Sequence, residues 1–196
     1  MNVTDRSGLA QRSRTVPARW RRLPRAARIV LSTALVLVLI FAALTARLFV
    51  WPAQGMPAEV SAIVMLSGPG VRLPVALQLA DEHRAPVLVI SQGYDGYGSP
   101  CPPRPSGVQL ICFDPEPSTT RGEAEYIGRL AKKYDWSSLV VVTSRPQATR
   151  ARMLVERCFT GAVYNSTGPL PMQSWPYQIV YGWGALAKAL FEDRTC

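Results

Sequence analysis

Residues 60–70 read Val-Ser-Ala-Ile-Val-Met-Leu-Ser-Gly-Pro-Gly. The run is short, mostly apolar and not alternating, and it stops abruptly in small turn-forming residues. This pattern predicts a strand buried on both faces that runs into a tight loop. A helix should follow, because Leu73, Ala76, Leu77 and Ala80 recur at helical spacing. Pro74 is tolerated only in a first turn, which places the helix start near Arg72.

The same unit recurs downstream. Residues 87–91 (Val-Leu-Val-Ile-Ser) form a second continuous apolar strand, and Gln92-Gly93 opens a long loop. Thr120 and Glu123 have capping-box spacing, with Ala124, Ile127, Leu130 and Ala131 supplying an apolar stripe. Residues 139–143 give a third strand, and Ser144 with Gln147 again fits a capping box, opening a helix through Ala151, Leu154, Val155 and Cys158. A fourth strand is expected around residues 162–164 and a last helix over 177–191. Continuous apolar strands alternating with amphipathic helices require a sheet covered on both faces, hence a three-layer α/β, Rossmann-like domain with a parallel sheet.

Upstream, residues 29–46 are 18 consecutive uncharged positions, about 27 Å of helix and close to the thickness of a bilayer core. Leu48 to Trp51 extend the run past Arg47, whose stem can snorkel. The expected organisation is a 1–28 arginine-rich tail, a 29–51 transmembrane helix, a 52–58 linker and a 59–196 domain. A cleaved signal peptide is the rival, with Ala53-Gln54-Gly55 as a late cleavage-like site; the run is long for a signal sequence, which favours the anchor.

This division changes the meaning of the charge. The chain has 196 residues and a formal net charge of +9, a balance that by itself suggests nucleic acid. Residues 1–28 hold eight arginines and one acid, Asp5, and so carry +7 of it. The remainder, with 14 bases and 12 acids, has no footprint for a polyphosphate, and nucleic acid is not an expected partner. Arginines flanking a first helix stay cytoplasmic, so the C-terminal domain is expected outside.

In an oxidising compartment, Cys101 and Cys112 bracket a Pro/Gly-rich stretch and are expected to pair. Cys158 and Cys196 fit either a second disulfide or two free thiols. No cysteine pair has zinc-site spacing and His83 is the only histidine, so no metal is expected.

Ligands of parallel sheets collect at the carboxyl ends of the strands. The loops there supply Ser67, Gly68 and Arg72; Ser91, Gln92 and Gly93; Thr120, Arg121 and Glu123; and Ser144, Gln147 and Arg150. Glycines allow close backbone approach, hydroxyls donate, helix N-termini offer N–H groups and guanidinium groups grip oxyanions. Together they predict an anion-binding pocket, with Arg72, Arg121 and Arg150 holding a phosphate. Each also has a plain structural role available: a turn for Gly68, caps for Thr120 and Ser144. Catalytic equipment is sparse, with Asp114, Glu116 and Glu123 the available acids and no Ser/His/Asp set. The residues accommodate both an enzyme and a noncatalytic binder.

The ordered set Leu66-Ser67-Gly68 with Arg72, Ser91-Gln92-Gly93, residues 116–124 (Glu-Pro-Ser-Thr-Thr-Arg-Gly-Glu-Ala), and Val142-Thr143-Ser144 with Arg150-Ala151 resembles the YdcF/SanA/ElyC family of α/β domains. The resemblance covers roughly residues 60–159 and the anchor that many members share. It implies a Rossmann-like fold, a cell-envelope location and a pocket built from these loops. The anion-lined pocket, held next to a bilayer, points to a phosphorylated small molecule or lipid-linked envelope precursor as the ligand. The alternatives are a noncatalytic sensor or envelope-assembly factor, and nucleotide or S-adenosylmethionine binding; the latter cofactor has been proposed within the family, although it is scarce outside the cytoplasm. Two departures stand out. Gln147 occupies a loop where many members carry His, and Thr119 and Gly122-Glu123 replace the usual Asn and Glu-Asn around the Thr.

Overall fold

The computed structural model describes residues 24–93 and 100–196. Most of the arginine-rich tail, residues 1–23, therefore lies outside the described residues. The first helix, α1 (Arg25–Thr45), continues through a π-helical turn, Ala46–Val50. It begins before the expected residue 29. Pro24 precedes its first turn, with its carbonyl accepting from Arg28 N–H, and arginine is a good helix former. Between Arg25 and Val50 the helix is long and apolar enough to cross a membrane, and Ile29, Leu35, Leu37 and Phe41 are exposed. The chain divides into two compact units after Ala42.

The second unit is built on β1 (Ala62–Met65), β2 (Val87–Ser91), β3 (Gln109–Phe113), β4 (Ser138–Ser144) and β5 (Ala162–Gly168), which form one parallel sheet in the order β3-β2-β1-β4-β5. The helices are α2 (Leu73–Asp81), α3 (Thr120–Tyr134), α4 (Arg145–Cys158) and α5 (Trp175–Phe191). The α/β class expected from the strand pattern is the observed one.

Side-chain alternation explains the layers. Ala62, Val64 and Leu66 point to one face with Val89, Leu139 and Val141, where Ala124 and Ile127 of α3 and Ala151, Leu154 and Val155 of α4 cover them. Ile63, Met65, Leu88, Ile90, Val140 and Val142 point to the other, where Ala76 and Ala80 of α2 pack. Burying each such aliphatic side chain contributes roughly 1.5–3 kcal/mol. Helix α5 adds Ala189 to the α3/α4 side.

Two expectations about the edges are corrected. The loop after β2 contains a strand, β3, whose residues pair from Val87↔Gln109 to Ser91↔Phe113. The prolines before it and Cys112 within it mask its apolar pattern. At the other edge, the segment expected as a free linker lies against β5. Gly55 N–H donates to Asn165 O at 3.3 Å, Asn165 Nδ2 to Ala53 O at 3.2 Å and Thr167 Oγ1 to Gln54 Oε1 at 2.9 Å. This cover protects an otherwise open edge. Disulfides join Cys101 to Cys112 and Cys158 to Cys196, which settles the second pair as a bridge.

Candidate functional site

The strand order reverses direction between β1 and β4, so their carboxyl ends flank the crevice where open α/β sheets bind ligands. A cavity of about 960 Å³ opens there. Its floor is Ser67, Gly68 and Pro69 after β1; its sides are residues 117–121 with Glu123 of α3 and Gln147 and Arg150 of α4. The remaining wall belongs to α5 and to Asp193 just after it.

Helix α3 starts one residue away from the expected register. Thr119 is the N-cap, and its Oγ1 accepts from Gly122 N–H at 3.1 Å. The position three residues after the cap is therefore Gly122, not the expected glutamate. A Cβ on Gly122 would stand 2.0 Å from the Pro117 carbonyl oxygen, so the preceding loop requires a glycine. Glu123, released from capping, turns inward and is only 2% exposed.

Its Oε1 accepts from Ser67 N–H at 2.7 Å and from Ser67 Oγ at 2.9 Å. Burial pushes the Glu123 pKa above the ordinary carboxylate range, against the opposing pull of Ser67, Ser91 and the positive charge of Arg72. Ser91 is fully buried, and its Oγ favours the Glu123 charge while making no hydrogen bond of normal geometry among the described residues. The pair is a hydroxyl held against a carboxyl that can carry a proton at higher pH than usual.

The three arginines separate into three roles. Arg72 is 3% exposed and does not reach the cavity wall. Its Nη1 donates to Leu66 O at 2.9 Å and to Ser67 O; its Nη2 to Pro69 O at 3.0 Å, Ser144 Oγ at 3.3 Å and Gln147 Oε1 at 2.9 Å; its Nε to Pro69 O at 3.2 Å. Burial lowers its pKa to about 10, so it remains charged. All three nitrogens are engaged by protein acceptors, which makes Arg72 a strut between the β1 and β4 ends and not the phosphate ligand expected. Gly68 serves this strut. Its φ of +125° suits glycine, and a Cβ there would meet Arg72 Nη2 at 2.8 Å.

Arg121 lines the cavity with its charge shared between Glu125, 2.9 Å away, and Asp193, 3.6 Å away. Arg150 also lines the cavity, and among the described residues it has neither a hydrogen-bond acceptor nor an ion-pair partner. Burial lowers its pKa, opposed by the electrostatic influence of Tyr181, Glu123 and Asp193. It is a partly desolvated guanidinium with its donors unclaimed, the condition for capturing an anion.

The second expected capping box is absent too. Ser144 is the N-cap of α4 by position but makes no capping hydrogen bond, since both it and Gln147 face Arg72. Gln92 and Gly93 do not line the cavity; Gln92 N–H is spent on Phe113 O at 2.9 Å. Of the expected set, the structure brings Ser67, Gly68, Thr120, Arg121, Glu123, Gln147 and Arg150 to one cavity. Arg72, Ser91 and Ser144 stand behind it.

The α5 wall, with Tyr177, Gln178, Tyr181 and Lys188, and Asp193 beyond it, was not expected from sequence. Tyrosines four residues apart on a helix with no acid were the available signal. Arg157 Nη1 fixes that wall by donating to Ala189 O at 2.7 Å and to Asp193 O, and the Cys158–Cys196 bridge ties the tail to α4. The Gln178 Oε1 is buried at the wall without a donor among the described residues. Among the described residues no cluster of three or more His, Cys, Asp or Glu is arranged to hold a metal. Comparison with protein-family models, curated proteins and solved structures found no match for the chain.

Proposed function

We propose that the chain is a single-pass membrane protein with its N-terminus in the cytoplasm, whose outward-facing domain takes a phosphorylated cell-envelope precursor, such as a lipid-linked sugar phosphate, into the β1/β4 cavity. Arg150 carries this reading: among the described residues its guanidinium has no hydrogen-bond or ion-pair partner, and it stands on the wall of a crevice that also presents the first turn of α3. A helix N-terminus and a free guanidinium both favour oxyanions. The two disulfides and the arginine flank support the outward orientation. The resemblance to the YdcF/SanA/ElyC family supports the envelope setting.

The test is equilibrium binding of a polyprenyl-linked sugar phosphate to the full chain in nanodiscs. Arg150→Gln should weaken binding about 10-fold or more, as for loss of a charge-assisted hydrogen bond. Equal affinity for both proteins would refute the assignment.

A noncatalytic role is the second reading, and Gln147 favours it. The side chain standing where many members of the resembled family have His is held by Arg72 at 2.9 Å and has no titrating group to offer. If the domain is only a binder, the bound precursor will be recovered chemically unchanged after prolonged incubation. A new product mass would instead assign a reaction, with the Ser67–Glu123 pair as its proton-handling group.

A further inference from the structure

Helix α5 has an unusual outer face. Its inner positions Gln178, Gly182, Leu186 and Ala189 are buried on the domain. A helix bounding a water-soluble domain normally turns charge outward. Here the outer positions 177, 180, 181, 184, 187 and 191 are Tyr, Val, Tyr, Gly, Ala and Phe, and over the whole helix Lys188 is the only charged residue. Val180 is 74% exposed and Phe191 70%, so the stripe is presented and not covered.

The covalent path of the chain indicates what covers it. The residues that follow the apolar helix pack on α5 itself. Phe49 meets the Trp183 ring edge-on, with centroids 5.3 Å apart, and Gly182 leaves room for it, since a Cβ there would be 2.7 Å from the Phe49 ring. Trp183 Nε1 donates to Thr45 Oγ1 at 3.2 Å. Arg47 Nη1 reaches Trp51 O at 2.6 Å, and Trp51 is itself exposed. The point where the chain would leave a bilayer is thus in contact with α5. Trp, Tyr and Lys are the residues that settle at the headgroup level.

We infer that the outer face of α5 lies in the lipid interface, with Tyr177, Val180, Tyr181 and Phe191 as its contacts. Because Tyr177, Tyr181 and Lys188 also line the cavity, its mouth then opens at the bilayer surface. A phosphate headgroup enters from that side while its hydrocarbon tail stays in the membrane. This inference rests on the anchor and the anion cavity of the proposed function, and it selects the lipid-linked source of phosphate over a free one.

The experiment uses the full chain in nanodiscs of phosphatidylethanolamine and phosphatidylglycerol, spin-labelled at Val180→Cys or, on α2 at the opposite face of the sheet, at Asp81→Cys. The label at 180 should collide with a water-soluble nickel chelate several-fold less often, and with oxygen more often, than the label at 81. Equal nickel accessibility at the two sites overturns the docking face, even if Arg150-dependent binding of inorganic phosphate persists in the same discs. In a second arm, Val180→Glu should weaken binding of the lipid-linked sugar phosphate about 10-fold and leave inorganic phosphate binding unchanged. An equal effect on both ligands, or on neither, overturns entry from the lipid. Loss of Arg150 dependence with the label still shielded would instead refute the anion site and leave the docking face standing.

Discussion

Glu123 accepts from both the backbone N–H and the hydroxyl of Ser67, through one oxygen, at 2.7 and 2.9 Å. This links the first turn of α3 to the loop leaving β1, and it sets a buried carboxyl at the side of the cavity with its pKa raised, chiefly by desolvation. Where the native carboxyl retains a proton that the unfolded chain has lost, the native state binds more protons, and stability falls as pH rises. The window opens near the unfolded glutamate value, about 4.3, and closes at the raised native value. We expect wild type to lose stability relative to Glu123→Gln as pH increases through that window. The glutamine keeps an acceptor for Ser67 but cannot ionise. Urea titrations of both proteins at several pH values provide the check; parallel curves would show that the carboxyl titrates as in the unfolded chain.

Arg72 and Arg150 should respond oppositely to truncation. Arg72→Ala strands the buried Leu66 carbonyl and takes the donors from the part-buried Pro69 carbonyl and Gln147 oxygen, and a loss of about 3 kcal/mol is expected. Arg150→Ala removes a guanidinium that makes no hydrogen bond or ion pair among the described residues, so the stability loss should be about 1 kcal/mol, well below that of Arg72→Ala, while anion binding is lost. Chemical denaturation and phosphate binding, measured on both variants, separate the strut from the ligand. Similar destabilisation by the two substitutions would contradict the division.

Gly122→Ala sets two effects against each other. Alanine gains about 1 kcal/mol of helix propensity over glycine. Its Cβ, however, would sit 2.0 Å from the Pro117 oxygen, a backbone atom that cannot swing aside. Overpacking of this kind costs roughly 1–3 kcal/mol and displaces the loop that forms one side of the cavity. Net destabilisation is the expected outcome, accompanied by weaker ligand binding; a stabilised variant would mean that the loop moves freely.

The local pattern carried much of this architecture and lost the rest for identifiable reasons. Strands β1, β2 and β4 are central, buried on both faces and therefore continuously apolar, which made them legible. Strand β3 is an edge strand with exposed Gln109, interrupted by a bridging cysteine, so its pattern dissolved into the loop. The cap of α3 was ambiguous by one residue because Thr119 and Thr120 are both competent, and the Thr-x-x-Glu spacing pointed to the second. Only the contact of Pro117 with Gly122 decides between them, and that contact is tertiary. Arg72 was legible as buried chemistry near the strand ends but not as a strut, since its acceptors are mainly backbone carbonyls, which leave no residue signature.

The least legible part, the α5 wall, offers the last prediction. Besides the packing of its buried positions on the domain, Arg157, the Arg121–Asp193 pair and the bridge between Cys158 and Cys196 hold α5 at the cavity. The bridge spans 38 residues and encloses β5 and all of α5. A loop of that length restricts the unfolded chain by about 4 kcal/mol on the chain-entropy account. Replacing both cysteines with serine should therefore cost on the order of 2–4 kcal/mol, and the Arg121–Asp193 contact, partly exposed and 3.6 Å long, is too weak to compensate. Amide exchange should then accelerate most across α5, while β1, β2 and β4 remain protected. Uniform acceleration over the whole domain would mean that the bridge stabilises the core and not the wall; unchanged exchange in α5 would mean that its packing on α4 holds it without the bridge.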